Sequence, residues 1–365
     1  MPLTAEGTPM STAFRPLTVT AIRAEGPDAV CLTLAPDTAD AGAFAFRPGQ
    51  YLTLRADIDG ADLRRAYSIC SAPGAPLSVG VKRVEGGRFS GFATGALKVG
   101  DRVEALTPEG RFGPAAIGGA HDYLLIGAGS GVTPLLSIAT AVLEGEPESR
   151  VTLVYGNRGA DTIMFREALE DLKDRFLGRL TLIHILSRET QDAALFHGRI
   201  DGARIAALAR AGLIDPGRCD AAYLCGPGAM VEDASAALAA LGLSPDRIGH
   251  ELFTPASDAV IAPPSARASA AAQTGATVEV TLDGARRSFS LTGGTVLDAA
   301  HEAGLELPWS CANGMCCTCR CKVTSGEAEM AQNWSLEPWE IEAGFILACQ
   351  ARPLTDRLAL DFDAV

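Results

Sequence analysis

The sequence predicts a multidomain chain: an antiparallel β-barrel, a parallel-sheet α/β domain and a small α+β domain. Three observations carry this prediction. Up to residue 115, short β runs (LTVTAIRAE, AVCLTLA, QYLTLRAD, LSVGVKRV, RVEALTP) alternate with Gly, Pro and Asp turn signals at near-regular spacing. From residue 122, apolar strands are followed by helical stretches, as in DYLLIGAG then TPLLSIATAVLEG, or VTLVYGN then MFREALEDLKDRF. After residue 276, TVEVTLDGARRSFSL reads as two alternating strands around Asp283-Gly284, a hairpin signal, followed by the helical TVLDAAHEAG, a run of cysteines and the terminal strand RLALDFD.

At 365 residues the chain exceeds one ordinary core, since a domain takes about 100–200 residues. We assign residues 12–115 to the barrel, 116–254 to the α/β domain, 255–276 to a linker and 277–365 to the last domain. The linker reading rests on PASDAVIAPPSARASAAAQTGA, which is rich in Ala, Pro and Ser and has no sustained periodicity.

The formal charge of −13 argues against a nucleic-acid partner, because phosphate binding needs a concentrated basic surface. In residues 275–365, 13 acidic residues face 6 basic ones, a net −7 that either steers a basic partner or serves as a solubilising face. No apolar run approaches the roughly 20 residues that cross a bilayer, so no membrane span is expected. The N-terminal MPLTAEGTPMSTAFRP lacks a basic region followed by an apolar one, so the expected location is cytoplasmic.

Six of the ten cysteines fall between residues 311 and 349, a density that indicates metal or redox chemistry in a reducing compartment. Cys311, Cys316 and Cys319 stand as C-x4-C-x2-C, and Cys349 follows after 29 residues, the plant-type [2Fe–2S] spacing. Each iron takes two thiolates, and glycine at 314 permits close backbone approach. A zinc site is the alternative, but it prefers paired C-x2-C knuckles and only one is available. Cys317 and Cys321 receive no ligand role, and Cys31, Cys70 and Cys219 are read as small core residues.

These motifs, with RAYS (Arg65 to Ser68), GAGSGVTP (Gly127 to Pro134), CGPGAM (Cys225 to Met230) and HELF (His250 to Phe253), resemble the ferredoxin–NADP reductase superfamily carrying a C-terminal plant-type ferredoxin domain. The resemblance spans nearly the whole chain and implies a flavin-binding barrel, a nicotinamide domain and a β-grasp ferredoxin domain. In RAYS an arginine can neutralise a flavin phosphate, an aromatic ring can lie on the isoalloxazine and a serine hydroxyl can reach a flavin nitrogen. The resemblance puts those roles on Arg65, Tyr67 and Ser68, with Ala66 between them. It places Val81 and Lys82 along the flavin side chain, and Gly87, Arg88, Phe89 and Ser90 at its pyrophosphate, where helix N–H groups suit an anion. FAD is the implied flavin, FMN the alternative.

GAGSGVTP departs from G-x-G-x-x-G, yet its Gly127, Gly129 and Gly131 let a dinucleotide approach the backbone, and Pro134 can start the helix. By resemblance Thr133 lies near the nicotinamide, Cys225 near the hydride-transfer position, Gly226 and Pro227 on a second edge, and His250, Glu251 and Phe253 over the flavin's far face. Ser68, Cys225 and Glu251 are the implied catalytic residues. No acidic ribose ligand ends the second strand of this domain; Arg158, Ser187 and Arg188 stand nearby instead, favouring NADPH over NADH. The whole is expected to accept hydride, split the electron pair and pass single electrons through the cluster to an oxygenase component. By the resemblance, a di-iron epoxidase acting on phenylacetyl-CoA is the first expectation. A Rieske dioxygenase or another soluble monooxygenase is the alternative, and a redox sensor without an enzymatic partner is the reading from another class.

Overall fold

Alternating burial along short strands builds the first sheet. The computed structural model describes residues 13–254 and 262–364. They divide into two compact units, the barrel with the parallel sheet in one and the C-terminal sheet in the other.

In the first unit, β1 (Arg15–Ala24), β2 (Ala29–Pro36), β3 (Tyr51–Ile58), β4 (Ala61–Ser68), β5 (Ser78–Lys82) and, after helix α1 (Arg88–Gly95), β6 (Arg102–Ala105) pair in the order β4-β3-β6-β1-β2-β5. Ile69, just past β4, bridges Val79 antiparallel, so the two edge strands meet and the sheet curls into the expected barrel. Leu17, Leu32, Leu52, Ile69, Val79 and Val81 fill its interior, and Phe89 and Ala93 of α1 join them. The β3–β4 hairpin turns on Asp59 and Gly60, both left-handed at φ 55° and 72°, which matches the strand twist.

The parallel sheet holds β7 (Asp122–Ala128), β8 (Arg150–Asn157), β9 (Leu180–Leu186), β10 (Ala221–Pro227) and β11 (Ile248–Thr254), in the order β11-β10-β7-β8-β9. Helices α2 (Val132–Gly145), α3 (Arg166–Arg175), α4 (Gly202–Arg210) and α5 (Gly228–Ala240) connect them. Strands step outward from β7 in one direction and then resume at β10 on its other side. The carboxyl ends of β7 and β10 therefore flank the topological switch point, where such sheets bind ligands. Helix α2 is buried on nearly every face, because it lies between the sheet and the barrel: Ser137 Oγ–H donates to the Ser71 carbonyl at 2.6 Å.

The second unit contains α6 (Ala266–Thr274), β12 (Ala276–Leu282), β13 (Ala285–Leu291), α7 (Val296–Glu302), β14 (Arg320–Ser325), β15 (Ala328–Met330), α8 (Pro338–Glu342), β16 (Phe345–Leu347), β17 (Ala351–Pro353) and β18 (Arg357–Asp361). Its main sheet runs β13-β12-β18-β14-β16, with β12 parallel to β18, and β15 pairs β17. The expected hairpin at Asp283-Gly284 is present, both residues left-handed, and the Asp363 carboxylate accepts both turn N–H groups at 2.8 Å.

The stretch read as linker contains a helix. Residues 255–261 lie outside the described residues, but 266–274 form α6. Ser265 Oγ caps the Ala268 N–H, Gly275 ends the helix in the left-handed conformation, and Ala268 and Ala271 are buried. An alanine-rich helix has little hydrophobic contrast between its faces, which hid it from periodicity.

Beneath α8, the Arg320 guanidinium lies 2.7 Å from the buried Glu340 carboxylate and 3.4 Å from the centroid of the Phe345 ring. Glu340→Ala removes a buried hydrogen-bonded partner of that cation, an expected loss of about 3–5 kcal/mol. Trp309, Trp334 and Trp339, the chain's three tryptophans, lie in this unit, so an earlier fluorescence midpoint in denaturant checks it.

Candidate functional site

The cysteine loop lies between α7 and β14. Its backbone turns on Ala312, Gly314 and Cys317, left-handed at φ 55°, 77° and 55°. Outside glycine such a conformation costs about 1–3 kcal/mol and needs holding. Gln350 Nε2 donates to Ala312 O and Gln332 Nε2 to Asn313 O, both at 3.2 Å, while Trp334 N–H and Ser335 Oγ–H donate to Gly314 O at 3.1 Å. A Cβ at Gly314 would press on Gln332 O and Gln350 Cγ at 3.2 Å.

So folded, the loop aims N–H groups at sulfur. Those of Asn313 and Met315 reach Cys311 Sγ at 3.5 and 3.3 Å, that of Cys311 reaches Cys316 Sγ at 3.5 Å, and that of Cys349 reaches Cys319 Sγ at 3.5 Å. The hydrogen bond from Cys316, with those N–H groups assisting against burial, lowers the Cys311 thiol to about 6. Its bond with Cys319 likewise lowers Cys349, whereas Cys316 and Cys319 are pushed up by their partners and by burial.

The four sulfurs thus form two pairs, Cys311 with Cys316 and Cys319 with Cys349. Among the described residues, no three His, Cys, Asp or Glu side chains gather around one ion position. One zinc ion needs all four sulfurs on one centre, whereas two irons take two each, so the pairing fits a binuclear cluster. Two buried donors beside the loop, Ser310 Oγ and Trp334 Nε1, have no acceptor among the described residues and suit inorganic sulfide. Cys317 and Cys321 turn away, toward the carbonyls of Ser335 at 3.5 Å and Ile346 at 3.8 Å.

Strand β4 carries Arg65 exposed, Ala66 and Tyr67 half-buried and Ser68 buried. The Tyr67 ring lies 5.6 Å from that of Phe89, tilted by 40°. Gly87 precedes α1, and a Cβ there would stand 2.6 Å from Ser90 Oγ, which accepts the Val84 N–H and donates to Gly87 O. This bare turn leaves N–H groups at the start of α1 open to an anion. Arg88 itself turns to the Ile58 carbonyl and to Asp59, while Phe89 and Val81 are core residues. Lys82 Nζ lies 3.6 Å from Asp28.

At the switch point, a short turn, Gly129–Gly131, joins β7 to α2. Gly129 is left-handed at φ 55°, and its carbonyl accepts the buried Tyr155 hydroxyl at 2.8 Å. A Cβ at Gly131 would lie 2.1 Å from the Cys225 carbonyl, so only glycine lets the turns after β7 and β10 touch. Thr133 is buried, with Oγ1–H donating to Ser130 O at 2.9 Å, and Pro134 sits in the first turn of α2. Cys225 on β10 pairs with Glu251 on β11, and the three expected catalytic residues converge there. Ser68 Oγ–H donates to Glu251 Oε2 at 3.3 Å, with Cys225 Sγ 4.0 Å from the same oxygen. Burial, opposed by the Ser68 hydrogen bond, raises the Glu251 carboxyl to about 7 and pushes the Cys225 thiol well up.

Gly226 and Pro227 end β10, and Phe253 packs partly buried against the core behind it. Arg158, Ser187 and Arg188 meet at the carboxyl ends of β8 and β9, where Arg188 N–H donates to Arg158 O at 2.8 Å and Ser187 N–H to Asn157 O at 2.9 Å. Both arginines are exposed. Asn157, buried beside them, was not among the expected site residues; the only hint was its place at a strand end.

Family models match in the order of these sheets. An oxidoreductase FAD-binding domain covers residues 16–113, an oxidoreductase NAD-binding domain 125–236, and a 2Fe-2S iron-sulfur cluster binding domain 280–354. Over 359 residues, 97% of its own length and 99% of the relative's, the chain is 45% identical to a component of the 1,2-phenylacetyl-CoA epoxidase of Escherichia coli strain K12. The chain belongs to the flavin and iron–sulfur oxygenase-reductase family. The reductase is also 36% identical over 353 residues, 95% of its length and 96% of the relative's, to the ferredoxin reductase component of a Rhodococcus rhodochrous 3-ketosteroid-9-alpha-monooxygenase. Its fold matches the solved structure of phthalate dioxygenase reductase with a TM-score of 0.58 at 23% identity, covering 96% of this chain and 98% of that one. It carries electrons through FAD and a [2Fe–2S] centre.

Replacing Cys311, Cys316, Cys319 or Cys349 by Ser is expected to abolish the reduced-cluster EPR signal and lower bound iron. Cys321→Ser and Cys317→Ser are expected to keep both, checked by iron analysis on the same preparations.

Proposed function

We propose that the reductase draws hydride from NADPH and supplies a di-iron epoxidase acting on phenylacetyl-CoA. The observation that carries this is the 45% identity to the epoxidase component, sustained across all three domains. The preference for NADPH rests on Arg158 and Arg188, two exposed guanidinium groups at the strand ends where an acidic ribose ligand would otherwise stand. FAD, when bound, takes two electrons at once and gives them up singly.

The chain's own residues supply placement and electrostatics. Tyr67 offers a ring for the flavin, Ser68 a hydroxyl, and Arg65 and the start of α1 positive charge for its phosphates. Ser68, Cys225 and Glu251 bound the pocket in which nicotinamide meets flavin, and the glycine turns after β7 and β10 admit the dinucleotide. The four paired thiols would hold the cluster that carries electrons out, with the acidic last unit facing a basic partner surface. A cytoplasmic setting suits so many thiols that must stay reduced.

Purified reductase mixed with epoxidase components is expected to consume NADPH only when phenylacetyl-CoA is present, and faster than it consumes NADH. Equal coupling to a steroid-type or Rieske oxygenase, or none to the epoxidase, would overturn the assignment.

A pH dependence follows from Glu251. Its carboxyl binds a proton more tightly folded than unfolded, so its contribution to stability is full below the ordinary 4.5 and disappears as pH rises through about 7. Ionised, it favours the positive charge that grows on nicotinamide as hydride departs. Ferricyanide reduction is therefore expected to climb through pH 7, and this limb should vanish in Glu251→Gln.

A further inference from the structure

Away from the residues already discussed, a second set of contacts joins the barrel to the parallel sheet. Glu25, in the turn after β1, is 7% exposed. Its Oε2 accepts the backbone N–H of Phe165 at 2.9 Å, while Oε1 accepts from Arg23 Nε at 2.8 Å. Phe165 precedes α3 and is left-handed at φ 57°, an unfavourable conformation for an aromatic residue. A carboxylate on its N–H, at the positive end of α3, holds that corner in place.

The corner aims the Phe165 ring, 1% exposed, at β5. There Val79 and Val81 point into the barrel core, and Gly80 lies on the outer face between them. A Cβ at Gly80 would stand 3.0 Å from two Phe165 ring carbons and 2.5 Å from Thr133 Cγ2. The bare backbone thus receives both the ring and the methyl of Thr133, which follows the dinucleotide turn. Ring and methyl form one packed layer on the barrel wall.

We propose that Glu25 and Phe165 are positioning residues for hydride transfer, Glu25 locking the corner at Phe165 and the ring, with Thr133, fixing the dinucleotide turn at contact distance from the flavin barrel through Gly80. Neither residue touches the reacting atoms, and the proposal holds whichever oxygenase the reductase serves.

The test is anaerobic stopped-flow reduction of the full-length, flavin- and cluster-loaded protein by NADPH. Glu25→Ala and Gly80→Ala are expected to lower the limiting rate of flavin reduction about ten- to hundredfold, with little change in the nicotinamide dissociation constant. The long-wavelength charge-transfer absorbance between nicotinamide and flavin should weaken in step, while flavin content and the oxidised spectrum stay at wild-type values. Glu25→Gln keeps an acceptor for the Phe165 N–H and is expected to retain most of the rate. Unchanged rate and absorbance in Glu25→Ala and Gly80→Ala would overturn the proposal, and so would a loss confined to nicotinamide affinity. Should Gly80→Ala fail to hold flavin, the Glu25→Ala and Glu25→Gln pair decides alone: the same rate in both counts against it.

Discussion

One carboxylate oxygen, Oε2 of Glu251, meets Ser68 from the barrel and faces Cys225 from the neighbouring strand. A half-buried acid tolerates few arrangements, because charge in a poorly solvated place must find partners or take a proton. The topology of the first unit can be understood as the means of meeting that constraint. The barrel must bring the end of β4 to the carboxyl edge of β10 and β11, and the parallel sheet must reverse its strand order there. Close backbone contacts make this possible: Gly131 lies against the Cys225 carbonyl and Gly80 against Thr133 and Phe165. A side chain at Gly131 would push the turn after β7 away from β10, and one at Gly80 would push the barrel wall away from Thr133 and Phe165.

The second unit answers a different constraint, sulfur that must be offered as thiolate. Backbone N–H groups aimed at the sulfurs of Cys311 and Cys319 supply positive polarity without a cationic side chain, so a cluster of negative sulfurs is compatible with an acidic domain. The buried ion pair of this unit, Arg320 with Glu340, serves to seat α8.

Much of this was legible in the sequence where chemistry is local. Cysteine spacing located the cluster loop, Asp283-Gly284 located its hairpin, and GAGSGVTP and CGPGAM named the two turns that flank the switch point. Ser68, Cys225 and Glu251 were expected together by resemblance alone, since 183 residues separate Ser68 from Glu251 and no periodicity joins them. The bond from Glu25 to Phe165, spanning 140 residues, was not visible at all: a glutamate in a turn reads as a solvated charge until its burial is known. Helix α6 escaped because alanine satisfies a helix without marking a face. Which acceptors Arg88 finds, Ile58 O and Asp59, was not visible either, since an arginine's direction depends on what the fold brings near.

The left-handed turns at Ala312 and Cys317 bear on where order in the second unit comes from. Their conformational cost is met by side chains of Gln332, Ser335 and Gln350 from outside the loop, and by whatever the sulfurs grip. Without a bound cluster only the first support remains, which makes the loop between α7 and β14 the least secured part of this unit. The sheet beneath it, with its own core of Val278, Val280, Leu358 and Leu360, has no comparable debt. Order in the cysteine loop and order in the sheet therefore rest on separate supports.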